Sequence, residues 1–382
     1  MERVYLDWNA TTPPCPEAMD AHREASERFW GNSSSLHREG RGAGEIVEGT
    51  CQALAEWTRS RPSEWILTSG GTESIHTAIL GCLQARGKRG RVVSSRGEHA
   101  STEGVLERLE ADGWEVVRLP LRADGTWDPH EVERACLEAP TALASLIWAN
   151  NETGAVSDAG TLARRLAEAK IPLHLDSVQC FGKMDVDLTE VPAAFVSLSG
   201  HKFQSTKGSG ALRIRRGAPW SRWIQGGNQQ RSRRGGTVDV AGAAAMHAAI
   251  LRSRKSGVLE PDPRDGLQES LVCAIPGLQV VSRDANRLSN TLCLIVEGAD
   301  SSALLARMDE RGFSIASGSA CSTGSPDPSQ VLLAMGIPEW QAHCAVRISL
   351  GPGTTRAHLD AFAKVFAQEV EFVRRVGGGL VV

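Results

Sequence analysis

The sequence has no long apolar run. None of its uncharged stretches spans the roughly 20 residues that a membrane-crossing helix needs. The opening MERVYLDWNATTPP lacks the apolar core of a secretory leader. Charge of one sign is also missing: 42 Lys and Arg against 45 Asp and Glu leave a net charge of -3, too little to suggest nucleic acid as the partner. Nine cysteines occur without a CxxC pair or Cys/His spacing, so neither a disulfide framework nor a metal ligand set is expected. An odd, dispersed set of thiols suits a reducing, cytoplasmic setting. Most of these cysteines read as small core hydrophobes.

What is present is an alternation. Short apolar runs at Trp65–Thr68, Arg91–Ser95, Glu115–Arg118, Ala142–Trp148, Pro172–Leu175, Phe195–Leu198 and Gly210–Ile214 read as seven strands. Helical patterns follow several of them, at Thr72–Gln84, Ser101–Glu110, His130–Leu137 and Ala159–Ala169. Alternation of this kind predicts an α/β fold with a mainly parallel sheet and helices on both faces. Ligands in such sheets bind at the carboxyl ends of the strands. Two helices (16–30 and 39–58) precede the sheet, behind an extended arm (1–15), and a longer one, Val240–Lys255, follows it. The Pro- and Gly-bearing SGVLEPDPRDG then reads as a boundary. The remainder reads as a smaller α+β unit with strands near 278–282, 290–296 and 345–350 and helices near 302–310, 328–335 and 356–374. The expected division is a large unit over 15–257 and a small unit from 1–14 with 258–382.

Polar residues gather where the strands end. Ser199-Gly200-His201-Lys202 follows the sixth strand. A lone lysine is ordinarily a solvated surface group, but one at the lip of a sheet can form an imine with a carbonyl. Thr68-Ser69-Gly70-Gly71-Thr72-Glu73-Ser74 closes a strand and opens a helix, where free N–H groups and the helix dipole attract an anion; read plainly, it is a threonine cap. Glu98-His99 offers an imidazole for proton transfer or stacking. Asn150-Asn151-Glu152-Thr153-Gly154 is either a turn or a pair of amides facing a ligand. Asp176 would be a carboxylate at a buried strand end, costly without a cationic partner, unless it merely caps a turn. Gln179 follows three residues later. Arg347 lies in AVRISL, where a guanidinium can clamp a carboxylate. Cys321 differs from the other cysteines: it sits in Ser317-Gly318-Ser319-Ala320-Cys321-Ser322-Thr323-Gly324, small and polar residues that suit a reactive thiol on an exposed loop.

The blocks YLDWNATTP, FWGNSSSLHREG, ILTSGGTES, EHAS, NNETG, LDSVQCFGK, SLSGHK, GGNQQRSRRGGT, SGSACS and VRISLG, in this order over nearly the whole chain, resemble the cysteine desulfurases. These are pyridoxal phosphate (PLP) enzymes of the class V aminotransferase group. The SGSACS loop resembles the nitrogen-fixation and iron–sulfur assembly branch. The resemblance implies a PLP-dependent transferase fold of type I, with a seven-stranded large domain. It implies Lys202 as the imine lysine, His99 as the ring-stacking acid/base and Asp176 as the partner of the ring nitrogen. Gln179 and Asn151 would lie near the phenolic oxygen. Gly71, Thr72, Ser199 and His201 would hold the phosphate, and Thr237 would reach the cofactor of a second subunit in a homodimer. Arg347, Asn32 and Asn151 would bind the substrate L-cysteine, and Cys321 would accept its sulfur and pass it to an acceptor or iron–sulfur scaffold protein. Selenocysteine lyase or another class V activity remains an alternative, as does a non-catalytic scaffold of a sulfur-transfer complex. Three positions depart from the family pattern: Gln230 stands for a glutamate, Ser232 for a glycine and Trp8 for an asparagine. Trp8 and Trp148 suggest a bulkier wall near the site.

Overall fold

A computed structural model describes residues 3–87, 89–318 and 327–377. Thirteen strands are numbered here along the described chain, beginning with β1 (Val4–Tyr5). Seven form one sheet: β2 (Trp65–Thr68), β3 (Arg91–Ser95), β4 (Glu115–Leu119), β5 (Thr141–Ile147), β6 (Leu173–Asp176), β7 (Phe195–Ser199) and β8 (Gly210–Ile214). Their order is β2-β8-β7-β6-β5-β3-β4. β8 runs antiparallel to both β2 and β7, and the other pairings are parallel, so the sheet is mixed but mainly parallel. The central β5 is apolar or small throughout and buried at every position, as both faces are covered. The edge strand β4 is less buried and carries ion pairs from Arg118 to Glu103 and Glu110, which discourage further pairing.

Chain direction across the sheet reverses between β3 and β5: β4 lies to one side, β6 and β7 to the other. That reversal opens a crevice at the carboxyl ends of the strands. His99 follows β3, Asn151 follows β5, Asp176 ends β6 and Ser199 ends β7, so the four meet there. The helices Pro16–Arg28, Arg38–Thr58 and Val240–Ser256 pack on one another beside this sheet.

A second core surrounds a four-stranded sheet of order β12-β13-β10-β9, made from β9 (Leu278–Val280), β10 (Thr291–Val296), β12 (Ala316–Ser317) and β13 (Ala345–Ser349). Phe362 and Phe366, on helix Arg356–Gly377, are fully buried in that core. Burial of each such ring contributes roughly 2–3 kcal/mol. β1 pairs in parallel with β11 (Phe313–Ser314), a ribbon the sequence did not announce because each strand is two residues long. The supposed boundary at SGVLEPDPRDG is also partly structured: helix Asp262–Ala274 begins inside it, with a proline in its first turn, where a missing N–H costs nothing.

The amino-terminal arm ties the two sheets together. Asp7 bridges to Ser349 beside β13; farther on, Thr12 N–H donates to His201 O at 3.0 Å and Cys15 N–H to Gln204 O at 2.9 Å. Among the described residues, no helix is long and apolar enough to cross a membrane.

Candidate active site

β7 is buried along its whole length, and a single 3-10 turn, Gly200–Lys202, follows it. Only glycine fits at 200: a Cβ there would stand 2.4 Å from Ser209 Oγ. The turn brings Lys202 back over the sheet end, where its Nζ donates to Asn9 O at 2.7 Å and Ala10 O at 2.8 Å. On the neighbouring strand, Asp176 is buried and accepts from Val178 N–H at 3.0 Å. Burial raises the pKa of its carboxyl, while His99 and Lys202 pull it back down. Lys202 and Asp176 line one cavity of about 280 Å³.

Part of the cavity lining is a glycine at a helix start. Helix Gly71–Arg86 starts there, and a Cβ on Gly71 would come within 2.9 Å of Val178 Cγ2. Thr72, Ser199 and His201 line the same cavity. His201 Nδ1 lies 3.0 Å from Thr11 Oγ1, and burial, with Lys202, Lys207 and Lys183 nearby, lowers its pKa to about 4. A neutral ring is therefore expected beside an anion site, available as a hydrogen-bonding group.

His99 caps helix Ala100–Ala111: its Nδ1 accepts from Ser101 N–H at 3.1 Å. That bond leaves the ring proton on Nε2 in the neutral tautomer. Asn151 and Gln179 also line the cavity, as does Arg347, which is 1 % exposed. The Arg347 guanidinium donates to Asp7 Oδ1 at 2.6 Å and to Asn151 O at 3.0 Å, while its Nε has no partner.

Ten of the expected site residues thus face one cavity. Three others do not. Asn32 is exposed in a surface loop, where its Oδ1 accepts from Ser34 N–H at 3.0 Å; within its own chain it lines no part of the cavity. Thr237 is exposed and lines a separate depression with Ser69 and Arg234. Cys321 lies outside the described residues. The described chain resumes at Asp327 and Pro328, which line an outer groove that shares His99 and Asn151 with the cavity.

The bulkier wall expected from the two tryptophans is absent. Trp8 packs on Gly351, where any side chain would clash with its ring, and donates to Tyr5 O at 3.0 Å. Trp148 is buried in the core. Neither lines the cavity.

Sequence reasoning missed four polar groups around the site. Asn9 is 1 % exposed and bonds to the turn after β5 at Asn151 and to β10 at Thr291. Lys183 is buried behind Gln179. Two carboxyls flank His99: burial raises Glu98 to about 8 and Glu152 to about 7. Glu98 Oε1 accepts from Ser95 Oγ and Ile147 N–H, but Oε2 has no partner. Glu152 accepts from Ser329 Oγ. Asn9, Lys183, Glu98 and Glu152 all lie within or beside the blocks WNATTP, LDSVQCFGK, GEHAS and NNETG, but nothing in the spacing of these blocks marks them as buried.

The profile of the family Aminotransferase class-V matches residues 4–362. A protein of Cereibacter sphaeroides named cysteine desulfurase is 38% identical over 377 residues, 98% of this chain and 97% of its own length. The chain belongs to the cysteine desulfurases of the class V aminotransferase family. The cysteine desulfurase NifS of Azotobacter vinelandii is 35% identical over 381 residues, covering 98% of this chain and 94% of its own. Among solved structures, a NifS-like protein superposes with a TM-score of 0.87 at 27% identity, over 97% of this chain and 100% of that one.

Membership in this family implies PLP. The cavity of this cysteine desulfurase offers what the cofactor requires. Gly71 opens a helix whose first N–H groups border the cavity, with the hydroxyl residues Thr72 and Ser199 lining it too, a fit for phosphate. On the floor is a buried carboxylate that gains from an N–H⁺ partner. An amine stands within reach of a carbonyl placed between them.

Proposed function

We propose that this cysteine desulfurase converts L-cysteine to L-alanine and transfers the sulfur to Cys321 as a persulfide. The observation that supports this most is the convergence of Lys202 and Asp176 on one cavity. Bound PLP supplies an aldehyde for an amine and an electron-poor ring that takes up the electron pair left when an α-proton departs. Lys202 would hold the aldehyde and, once substrate displaces it, carry the α-proton. Asp176 would keep the ring nitrogen protonated. Gly71, Thr72, Ser199 and His201 would bind the phosphate, with Gln179 and Asn151 at the phenolic oxygen. Arg347 would hold the substrate carboxylate.

The thiolate of Cys321 would attack the substrate sulfur. The carbon–sulfur bond would break as the sulfur–sulfur bond forms; its electron pair would stay with carbon, and a proton that His99 would supply completes alanine. Asp327 and Pro328, six and seven residues beyond Cys321, lie in the groove that continues outward from His99, a placement that suits this role.

We further propose a cytoplasmic homodimer that hands its sulfur to an acceptor or iron–sulfur scaffold protein, with the chain dividing at residues 14/15 and 257/258. The large sheet uses 65–214, and the smaller sheets use 4–5 and 278–349. Trp30 and Leu36, on either side of Asn32, are 71% and 89% exposed, apolar surface that a second copy would cover. Asn32 and Thr237 would then act across that interface.

The test gives the purified protein cysteine with a thiol reductant and measures alanine and sulfide. Equal amounts of both are expected. With C321S, the yellow cofactor should remain but no enzyme persulfide should form; persulfide at the normal yield from that variant removes Cys321 from the mechanism. Alanine from selenocysteine but not from cysteine would reassign the enzyme as a selenocysteine lyase.

A further inference from the structure

Behind the cavity lies a closed set of hydrogen bonds centred on Asn9. Its N–H donates to Ser349 Oγ at 3.0 Å. Its side-chain nitrogen donates to Asn151 O at 3.2 Å and Thr291 Oγ1 at 2.8 Å. Its Oδ1 accepts from Asn290 Nδ2 at 3.0 Å and Lys183 Nζ at 3.1 Å. Its backbone carbonyl accepts from Lys202 Nζ and, at 3.0 Å, from Gln179 Nε2. Lys183 closes the set by donating to Gln179 Oε1.

The pairing decides which way the Gln179 amide faces. A lysine amine offers its hydrogens to oxygen. Oε1 of Gln179 is therefore committed to Lys183, and Nε2 is turned to the Asn9 carbonyl. Nε2 carries two hydrogens. One is used on Asn9 O, and the other is the side-chain donor left for the cavity that Gln179 lines. Lys183 is 6 % exposed, and burial, with Lys202 and Arg347 nearby, holds its pKa well below the usual lysine value. A neutral amine still donates two hydrogens, enough for both of its oxygen partners.

We propose that Lys183 is a positioning residue of the cofactor site, holding the Gln179 amide so that an N–H faces the ring oxygen of bound PLP. The proposal rests on the function proposed above, in which Gln179 meets that oxygen. Without Lys183 the amide can rotate, and the donor is lost. A donor at the ring oxygen draws negative charge away from the proton on the nitrogen joined to Lys202 and makes that proton easier to remove. Losing the donor makes it harder to remove.

The readout is the pH at which the visible absorption of the bound cofactor changes. K183M and K183L delete the donor in two shapes; K183Q keeps one. Both apolar variants should move the transition upward by about one pH unit, the size of one hydrogen bond to an ionised oxygen. Q179A should do the same, and the K183M/Q179A double variant should move it no further. K183Q should fall between the wild type and K183M.

Asp176, His99, His201 and Arg347 face the same cavity and are unchanged in every variant, so their titrations cancel in the comparison. If one apolar variant does not accumulate, the other carries the test. A transition left at the wild-type pH, or a double variant that adds the two single shifts, overturns the role of Lys183. A colourless wild-type protein after incubation with PLP would overturn the reading of the site itself.

Discussion

The cavity wall and the Gly/Arg-rich segment near residues 225–237 treat the backbone in opposite ways. Along the wall, Asp176 and Ser199 end buried strands in ordinary extended geometry, and their neighbours are held by many short polar contacts. In the segment, three consecutive non-glycine residues, Gln230, Arg231 and Ser232, take positive φ of 48°, 59° and 60°. Each such residue costs roughly 1–2 kcal/mol. Part of that cost is offset by the Gln230 amide, which donates to Leu67 O at 2.8 Å and accepts from Leu67 N–H at 2.6 Å, pairing with the edge strand β2 as a further strand would. Arg234 adds a two-toothed ion pair to Glu73. The wall invests its polar groups in placing reactive atoms. The segment uses them to hold a strained backbone in place, so substitutions in the two regions should be read by different measurements.

The largest effect is expected at the wall. K202A should lower turnover by roughly 10³-fold or more, since a positioned acid/base contributes about 10²–10⁴; alanine release at a wild-type rate would dismiss the lysine. N9A should come next, with about a hundredfold lower activity. It removes the side-chain bonds to Asn151, Thr291, Asn290 and Lys183 that fix the Asn9 backbone carbonyl, the shared acceptor of Lys202 and Gln179, and a misplacement near 1 Å costs on that order. A variant with unchanged kcat and KM would show that the anchor is structural only.

A third substitution tests the wall for a penalty of its own. Glu98 ionises near 4.5 when exposed but near 8 in the fold. The unfolded chain therefore sheds this proton first, and stability falls as pH rises from about 4.5 to about 8. E98Q does not titrate. Its stability advantage over the wild type, followed by Tm, should be flat below that window, grow across it and level off above, on the order of 5 kcal/mol for a pKa raised from 4.5 to about 8. Parallel Tm curves at all pH values would remove Glu98 from this account.

The smallest effects belong to the segment. Q230E loses the donor to Leu67 O and should destabilise by about 1 kcal/mol, and S232G should stabilise by a similar amount by relieving a positive φ. Chemical denaturation of both variants checks the signs. Should S232G instead change activity by as much as N9A, the contrast between the two regions would be wrong.

Much of this was legible from residue patterns. All seven large-sheet strands were placed within a residue at each end, because strands covered on both faces are largely apolar; β5 began and ended one residue earlier, and β6 one residue later, than expected. Most of the ten site residues lie at strand ends or a helix start, where such sheets expose polar groups; the family resemblance completed the set with the expected phosphate ligands Ser199 and His201, and Arg347 lies within β13. The short ribbons β1, β11 and β12 escaped notice because two residues carry no periodicity. The helix Asp262–Ala274 was hidden by prolines that its first turn accepts.

The order of polar blocks alone determined the family and the fold class, and it singled out the side chains proposed to react. It could not determine that Asn9 is the residue on which Lys202, Gln179 and Lys183 meet, nor that Trp8 turns away from the cavity to lie on Gly351. Those facts depend on contacts between segments more than 160 residues apart, and a linear sequence carries no measure of which distant polar atoms will be left without water. Only folding removes the water, and each enclosed donor must then find its acceptor.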